Sequence, residues 1–281
     1  MFRLTLFLCL LLTGHAYGEE PVRLLFIHHS CGGQLMAEQG EKVGGASGSG
    51  QRCIYVSHPN GGGLRSLLTT AGYEVHEASY ESKLGQDTDI SDWLPKFSTQ
   101  MNLVLTCDKQ DTFYDDDRTN QIVAFKSCYP NNDFTGIGTE PGDPSMPQWT
   151  IANAKAAYNL LLSHFKDNPE VLFVAFTAPP RAEKKLSGWD KIKAMFEKEP
   201  TQADYARDFN NWLVTDWLAN YELPNVVVFN HYNILTNDGQ TNWSAYPTGD
   251  GKDSHPSAIG NGKAAKAFIP FLDDAVKKMQ D

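Results

Sequence analysis

The sequence lacks the features of several common classes of protein. It has no Cys-x-x-Cys pair, which argues against a zinc site built from thiolates. It has no block of Lys and Arg and its formal net charge is −10, so a nucleic acid is not an expected partner. No apolar run reaches the ~20 residues that a transmembrane helix needs. Internal repeats are absent too, as is any linker long enough to separate two domains.

The N-terminus has the pattern of a secretory signal peptide. A positive start at Arg3 precedes the apolar run LTLFLCLLLTG, and the small residues Ala16 and Gly18 follow. This pattern predicts a signal peptide over residues 1–18 and a single domain over residues 19–281. We therefore expect a secreted or periplasmic protein that has no membrane attachment after cleavage.

Four cysteines remain after that cleavage, at Cys31, Cys53, Cys107 and Cys128. An even number in an oxidising compartment predicts one or two disulfides, and the spacing does not distinguish the three possible pairings. Buried free thiols are the alternative.

Apolar runs rich in β-branched residues alternate with helical patterns along the chain. This alternation is typical of a parallel sheet with crossover helices, so we predict a three-layer α/β/α fold with a doubly wound, mainly parallel five-stranded sheet. The order of the strands within the sheet is not visible in the pattern. The predicted strands are Val22–Ile27, Tyr73–Ala78, Ile122–Phe125, Val171–Phe176 and Val226–Phe229.

Helical spacing of apolar residues predicts several helices between these strands. One is expected to be capped by Ser91, and the last, after His255, is expected to break at Pro270. The glycine-rich stretch 40–63 is expected to be poorly structured, and segment 102–119 gives no clear assignment. The other predicted helices are Leu64–Ala71, Ile151–Phe165 and Gln202–Tyr221.

Polar residues suited to acyl transfer follow the predicted strands. Ligands of open parallel sheets bind beyond the carboxyl ends of the strands, so these residues are expected to converge. A serine hydroxyl needs an imidazole to accept its proton, and the imidazole needs a partner such as a carboxylate. A backbone N–H at a glycine and an asparagine amide can stabilise the oxyanion. The residues concerned are Ser30, Gly85, Asn131, Asn132, Asp253 and His255.

This ordered set resembles the four sequence blocks of the SGNH (GDSL-like) hydrolases, and the stretch DSHPSAIGNGKAAKAF resembles the last block most closely. The resemblance implies a flavodoxin-like fold, Ser30 as nucleophile, and His255 and Asp253 as the other triad members. It implies an oxyanion hole made by the N–H groups of Ser30 and Gly85 and the amide of Asn131 or Asn132. Exported members commonly remove acetyl groups from carbohydrates, so an acetylated glycan or another small ester is the implied substrate, with no cofactor.

The sequence departs from the family pattern at several places. His28 and His29 replace the usual Gly-Asp before the serine, so the GDSL string is absent. Asp253 stands two residues before His255 instead of three, which leaves Asp250 as a weaker candidate for the acid. The glycine that normally precedes the block-three asparagine is missing, and residues 61–63 offer glycines that rival Gly85. His29 and Gly32 are predicted to line the substrate site.

Two other functions remain open on these residues. One is a catalytically silent carbohydrate-binding protein on the same fold, which the departures favour. The other is a metal-dependent hydrolase that uses His28, His255 and Asp253. Adjacent histidines on a strand point to opposite faces, which argues against His28 and His29 sharing one ion, so no metal is predicted.

Overall fold

The computed structural model describes residues 20–45, 52–146, 150–184, 188 and 199–280. The predicted signal peptide at residues 1–18 lies outside the described residues. No helix in those described ranges is long and apolar enough to span a membrane.

Short strands and longer helices alternate through the described chain. The strands are β1 (Arg23–Ile27), β2 (Glu38–Gln39), β3 (Val43–Gly44), β4 (Tyr55–His58), β5 (Glu74–Ala78), β6 (Cys107–Lys109), β7 (Thr112–Phe113), β8 (Ile122–Lys126), β9 (Leu172–Phe176), β10 (Val226–Phe229), β11 (Pro247–Thr248) and β12 (Asp253–Pro256). The helices are α1 (Ser30–Met36), α2 (Leu64–Thr70), α3 (Ile90–Thr99), α4 (Met101–Thr106), α5 (Ile151–Lys166), α6 (Gln202–Thr215), α7 (His231–Leu235) and α8 (Ala258–Gln280), with a 3-10 turn at Tyr129–Asn132.

The main sheet has the strand order β10-β9-β8-β1-β5-β6-β7. All neighbours in it pair in parallel except β6 and β7. The chain moves outward from β1 to β5, then returns to the other side of β1 and continues through β8, β9 and β10. This reversal opens a crevice at the carboxyl ends of β1 and β8, where ligands bind in doubly wound sheets. The predicted α/β fold class is confirmed.

The sheet has seven strands, so the prediction of five is wrong in number. The two additional strands, β6 and β7, form one edge. Both lie in segment 102–119, where short strands with mixed polar residues gave no period-2 pattern to detect.

The central strands are buried on both faces, as their continuous apolar sequences indicate. Leu25 and Ile27 of β1 pack into the core beneath α3, α5 and α6. Leu24 and Phe26 of the same strand pack into the opposite core, beneath α2 and α8. Burying each such side chain contributes about 1.5–3 kcal/mol, so β1 is held firmly at the centre of the domain.

Several helix boundaries differ from the sequence prediction. Helix α3 begins at Ile90 with Asp89 as its N-cap, and the Asp89 N–H donates to Asp92 Oδ2 at 2.8 Å, so Ser91 is not the cap. Helix α8 continues through Pro270 because Phe268 and Leu272, on either side of it, pack into the same core. Helix α6 ends at Thr215 and not at Tyr221.

The region after β1 is more ordered than its glycine content predicts. Ser30 begins helix α1, which the sequence analysis did not predict. Strands β2, β3 and β4 then form a small three-stranded sheet within the stretch 40–63 and just before it. Residues 46–51 of that stretch lie outside the description.

Candidate active site

Ser30 and His255 meet at the carboxyl end of β1. Ser30 is the first residue of α1, three positions after β1 ends, and His255 lies on β12. The Ser30 Oγ lies 2.8 Å from His255 Nε2, a hydrogen-bond distance between residues 225 positions apart in sequence. This is the contact that a general base needs to accept the proton of a serine hydroxyl.

Asp253 completes the chain of hydrogen bonds on the other side of the imidazole. Its Oδ1 lies 2.7 Å from His255 Nδ1 and also accepts the His255 backbone N–H at 2.9 Å. Burial alone would raise the pKa of Asp253, but the hydrogen bonds from the backbone and ring of His255 lower it below its ordinary value. The carboxylate is therefore ionised near neutral pH and favours the Nδ1–H tautomer, which leaves Nε2 free to accept from Ser30.

The two-residue spacing between acid and histidine follows from the backbone of β12. Side chains at positions i and i+2 of a strand point to the same side, so Asp253 reaches the ring of His255 directly. Asp250, the alternative acid, instead pairs with Lys252 at 2.7 Å. The structure thus brings Asp253, and not Asp250, to Nδ1.

Further contacts hold the histidine in place. The Thr248 hydroxyl donates to the His255 carbonyl at 2.8 Å, and Asn60 Nδ2 donates to that hydroxyl at 2.7 Å. The Tyr129 ring meets the imidazole edge-on, with 5.0 Å between ring centroids, and the Arg181 guanidinium lies over this tyrosine ring at 4.7 Å from its centroid. The imidazole is therefore fixed from its backbone and from one edge of its ring.

The turn that presents Ser30 is packed against buried polar groups. His28 is fully buried, and its Nε2 lies 3.0 Å from Glu77 Oε2, whose other oxygen accepts from Arg65 Nε at 2.7 Å. Gly32 packs on this histidine, since a Cβ at position 32 would lie 2.3 Å from His28 Cβ. Gly32 is therefore required for the close packing of the turn on His28, and its place in the substrate lining stays a prediction.

His29 supports a neighbouring loop. Its Nε2 lies 2.7 Å from the Gly85 carbonyl, and its ring stacks on Tyr80 with 3.5 Å between centroids. Burial lowers the pKa of His29, so the ring is neutral at physiological pH and donates its proton to this carbonyl. The ring is 8% exposed, so His29 positions the Gly85 loop instead of lining the substrate site as predicted.

The structure separates the candidate oxyanion donors. Asn132 Nδ2 donates to the carbonyls of Ala178 and Pro179 at 3.0 and 2.8 Å, and its Oδ1 accepts from Asn210. Both hydrogens of this amide are used, so the prediction that Asn132 serves as a donor is wrong. Asn132 instead ties the turn after β8 to the loop after β9.

Asn131 is 1% exposed, and one hydrogen of its amide has no partner among the contacts of the described residues. Its Oδ1 accepts the Ile90 N–H at 2.8 Å, and one hydrogen of Nδ2 goes to Asp89 Oδ1 at 2.7 Å. Since an amide nitrogen carries two hydrogens, the second is not used by these contacts. Asn131 is thus the better placed of the two asparagines.

The backbone N–H of Gly85 donates to Ser82 Oγ at 3.0 Å, within its own loop. This contact corrects the prediction that the Gly85 N–H is an oxyanion donor. The glycine is required for another reason, because a Cβ there would lie 2.1 Å from the Ser79 carbonyl oxygen. Its rivals Gly61 and Gly62 approach the backbone at residues 35–39 in a similar way.

Cys128 is a neighbour of Ser30 that sequence reasoning did not place in the site. Its Sγ lies 3.6 Å from Ser30 Oγ. Hydrogen bonds from the Cys31 thiol, helped by the charge of Lys126, lower the pKa of Cys128, while burial and Cys128 itself raise the pKa of Cys31. The rule that selected Asn131, position after the end of β8, would also have selected this cysteine.

The four described cysteines are free thiols, so the predicted disulfides are absent from this structure. Cys31, Cys53 and Cys107 are buried, which matches the alternative that the sequence left open.

The metal site considered from the sequence does not form. Within the described residues, no three His, Cys, Asp or Glu side chains are grouped so that they could hold a metal ion. His28 faces Glu77 beneath the turn, so it does not join His255 and Asp253.

Comparisons with known proteins give little support for a family assignment. No protein-family model matches the chain, and no curated protein matches it. A family two carbohydrate esterase from Cellvibrio japonicus is similar in structure, with 12% sequence identity and a TM-score of 0.39. The match covers 93% of this chain and 64% of that one, so this chain spans less than two thirds of its neighbour's length.

Proposed function

We propose that the protein is a secreted serine esterase that hydrolyses carboxylic esters, with an acylated carbohydrate as its expected class of substrate. The observation that carries the proposal is the continuous hydrogen-bonded chain from Ser30 Oγ through His255 to Asp253. This arrangement lies at the crevice where the strand order reverses. The N-terminal signal pattern and the resemblance to SGNH hydrolases support secretion and family membership.

The proposed reaction proceeds in two acyl-transfer steps. Ser30 Oγ attacks the ester carbonyl carbon as its proton moves to His255 Nε2, and Asp253 stabilises the imidazolium that forms. The tetrahedral intermediate collapses, the ester C–O bond breaks, and Nε2–H protonates the leaving alkoxide. Water then attacks the acyl group on Ser30 with the same imidazole as base, which releases the acid and restores the serine.

Two donors are proposed for the oxyanion. The Ser30 N–H lies at the first position of α1, where backbone N–H groups have no partner within the helix. The second hydrogen of Asn131 Nδ2 is the other donor, and its direction is fixed by the contacts of this amide with Ile90 and Asp89. Removal of one such donor typically costs about 10²–10³ in kcat.

The test is hydrolysis of p-nitrophenyl acetate by the purified protein beside Ser30→Ala and His255→Ala. Loss of turnover in both variants is expected, while Ser163→Ala, an exposed serine on α5, retains full activity as a control. Activity that survives the loss of Ser30 would exclude the serine mechanism. A parent that binds acetylated sugars but hydrolyses no ester would favour a silent binding protein.

A further inference from the structure

A cavity of about 550 Å³ is lined by residues of the segments around β3, β4 and the end of β5, and none of these residues takes part in the proposed proton transfer. Its walls are formed by the aromatic side chains Tyr55 and Tyr80, by the cationic Lys42 and Arg52, and by the backbone of Gly45. This volume lies within the range of about 300–1,000 Å³ for ligand pockets, which is large enough for a monosaccharide unit.

Two of the residues that line this cavity contact residues close to Ser30 in sequence. Tyr80 stacks on the ring of His29, the residue immediately before Ser30. Cys53, which also lines the cavity, has its carbonyl oxygen against Gly33, one turn of α1 after Ser30. The cavity wall therefore packs against the start of the helix that carries the nucleophile.

Two cationic side chains line the cavity in a chain whose net charge is −10. Arg52 is paired with Glu81, at 2.7 Å. Lys42 makes a cation–π contact with Tyr55, at 5.3 Å from the ring centroid, and makes no ion pair with another described residue. The Lys42 ammonium is thus the positive charge at this cavity that a ligand can neutralise.

The aromatic walls suit a sugar ring. Tyrosine presents a flat apolar face together with a polar hydroxyl, a combination that binds partly polar ligands well. The shape also depends on Gly45, since a Cβ at this position would lie 2.3 Å from the Tyr55 ring. Burial raises the pKa of both tyrosines, so their hydroxyls stay protonated at neutral pH.

We propose that the substrate is an O-acylated acidic saccharide, whose carboxylate binds Lys42 while its sugar ring packs against Tyr55 and Tyr80. This inference rests on the proposed esterase function and narrows it to esters that carry a carboxylate near the acyl group. Charge at the cavity selects the carboxylate, and the tyrosine faces select the ring.

The kinetic test compares two mono-O-acetylated substrates: methyl glucuronoside and its neutral carboxamide analogue. The parent is expected to prefer the carboxylate about tenfold in kcat/KM, which corresponds to about 1.4 kcal/mol. Lys42→Gln is expected to bring this ratio close to one. The ratio is measured on one preparation, so a change in the folded fraction cancels.

Lys83→Gln is the matched control, because Lys83 is exposed on the loop that follows Tyr80. This variant is expected to keep both the ratio and the absolute rates of the parent. A ratio near one in the parent, or a ratio that Lys42→Gln leaves unchanged, would overturn the inference.

A binding test separates this inference from the esterase function. NMR titration of Ser30→Ala with sodium glucuronate, glucose and sodium acetate measures ligand binding without turnover. Glucuronate is expected to bind at least tenfold more tightly than glucose or acetate, and Lys42→Gln to remove that advantage. Equal binding of acetate and glucuronate would overturn the saccharide part. Glucuronate binding by a protein that hydrolyses no ester would overturn the esterase function but would support the proposed ligand of the cavity.

Discussion

The candidate site has two halves, the turn that carries Ser30 and the strand that carries Asp253 and His255, and these halves differ in burial. Ser30 follows the central strand of the sheet, with the fully buried His28 and Cys31 on either side of the turn. His255 and Asp253 lie on the short two-stranded sheet of β11 and β12, and their side chains are 19% and 49% exposed.

Because of this difference, we expect substitutions in the serine half to affect the stability of the fold and substitutions in the histidine half to affect activity. The buried carboxylate of Glu77 lies beneath the serine turn in contact with His28 and Arg65, so its substitution leaves these partners unpaired and destabilises the fold. Groups in the histidine half have access to solvent, so substitution there should remove activity and leave the fold intact.

The largest effect is expected for His255→Ala. Without the base, kcat/KM for p-nitrophenyl acetate should fall by roughly 10⁴-fold or more, since serine and histidine act as a unit. The free energy of unfolding should change by no more than about 0.5 kcal/mol, measured by urea denaturation. His164→Ala on α5 is the control for loss of a histidine. A large loss of stability in His255→Ala would contradict the division.

Asp253→Asn should lower kcat/KM by roughly 10³-fold, because the amide no longer favours the Nδ1–H tautomer. The pKa of Asp253 is lowered in the fold. Its contribution to the free energy of unfolding is therefore present above the ordinary pKa of about 4 and is lost as pH falls through the folded value. The carboxylate therefore stays ionised between pH 6 and 8, and the loss is measured by steady-state kinetics at pH 8. Asp250→Asn is the comparison variant, and an equal effect there would show that Asp253 is not the acid.

Glu77→Gln tests the serine half. The pKa of Glu77 is lowered because His28 and Arg65 together outweigh the burial that would raise it. Loss of this buried charge should destabilise the fold by about 3 kcal/mol in urea denaturation. The parent should lose this contribution as pH falls below about 4, so its stability and that of the variant should converge there. A variant as stable as the parent at pH 7 would show that the buried network does not hold the turn.

The smallest effect is expected at Lys96, which lies outside both halves and donates to the Leu84 carbonyl at 2.5 Å. Burial lowers its pKa to about 8, against the attraction of Asp87 and Asp92. A lysine with a lowered pKa destabilises the fold below that pKa, and this penalty disappears as pH rises towards 10. The stability of Lys96→Met relative to the parent should therefore fall by about 2 kcal/mol between pH 7 and 10. A difference that stays constant with pH would show that Lys96 keeps its ordinary protonation.

Features that depend on a local sequence pattern could be predicted from the sequence. Continuous apolar strands such as residues 172–176 are recognisable because both faces are buried, and position after a strand identified Ser30. The roles of Asn132 and Gly85 were not predictable in this way. The Asn132 amide donates hydrogen bonds to the carbonyls of Ala178 and Pro179, which lie in a distant part of the sequence.

The cavity lined by Lys42, Tyr55 and Tyr80 could not be predicted from the sequence either. Lys42 and Tyr55 lie in a glycine-rich stretch without periodicity, and Tyr80 reaches the same cavity from the end of β5. Lys42 and Tyr55 come together because β4 pairs with β2 and β3. Positive-φ glycines such as Gly45 allow this backbone but do not reveal it in a sequence.

The most direct test of the account is covalent labelling with a fluorophosphonate, followed by peptide mapping in a mass spectrometer. We expect one labelled residue, Ser30, in the parent, and labelling slowed by several orders of magnitude in His255→Ala. A label on another residue, or a parent that takes no label while it hydrolyses esters, would contradict it.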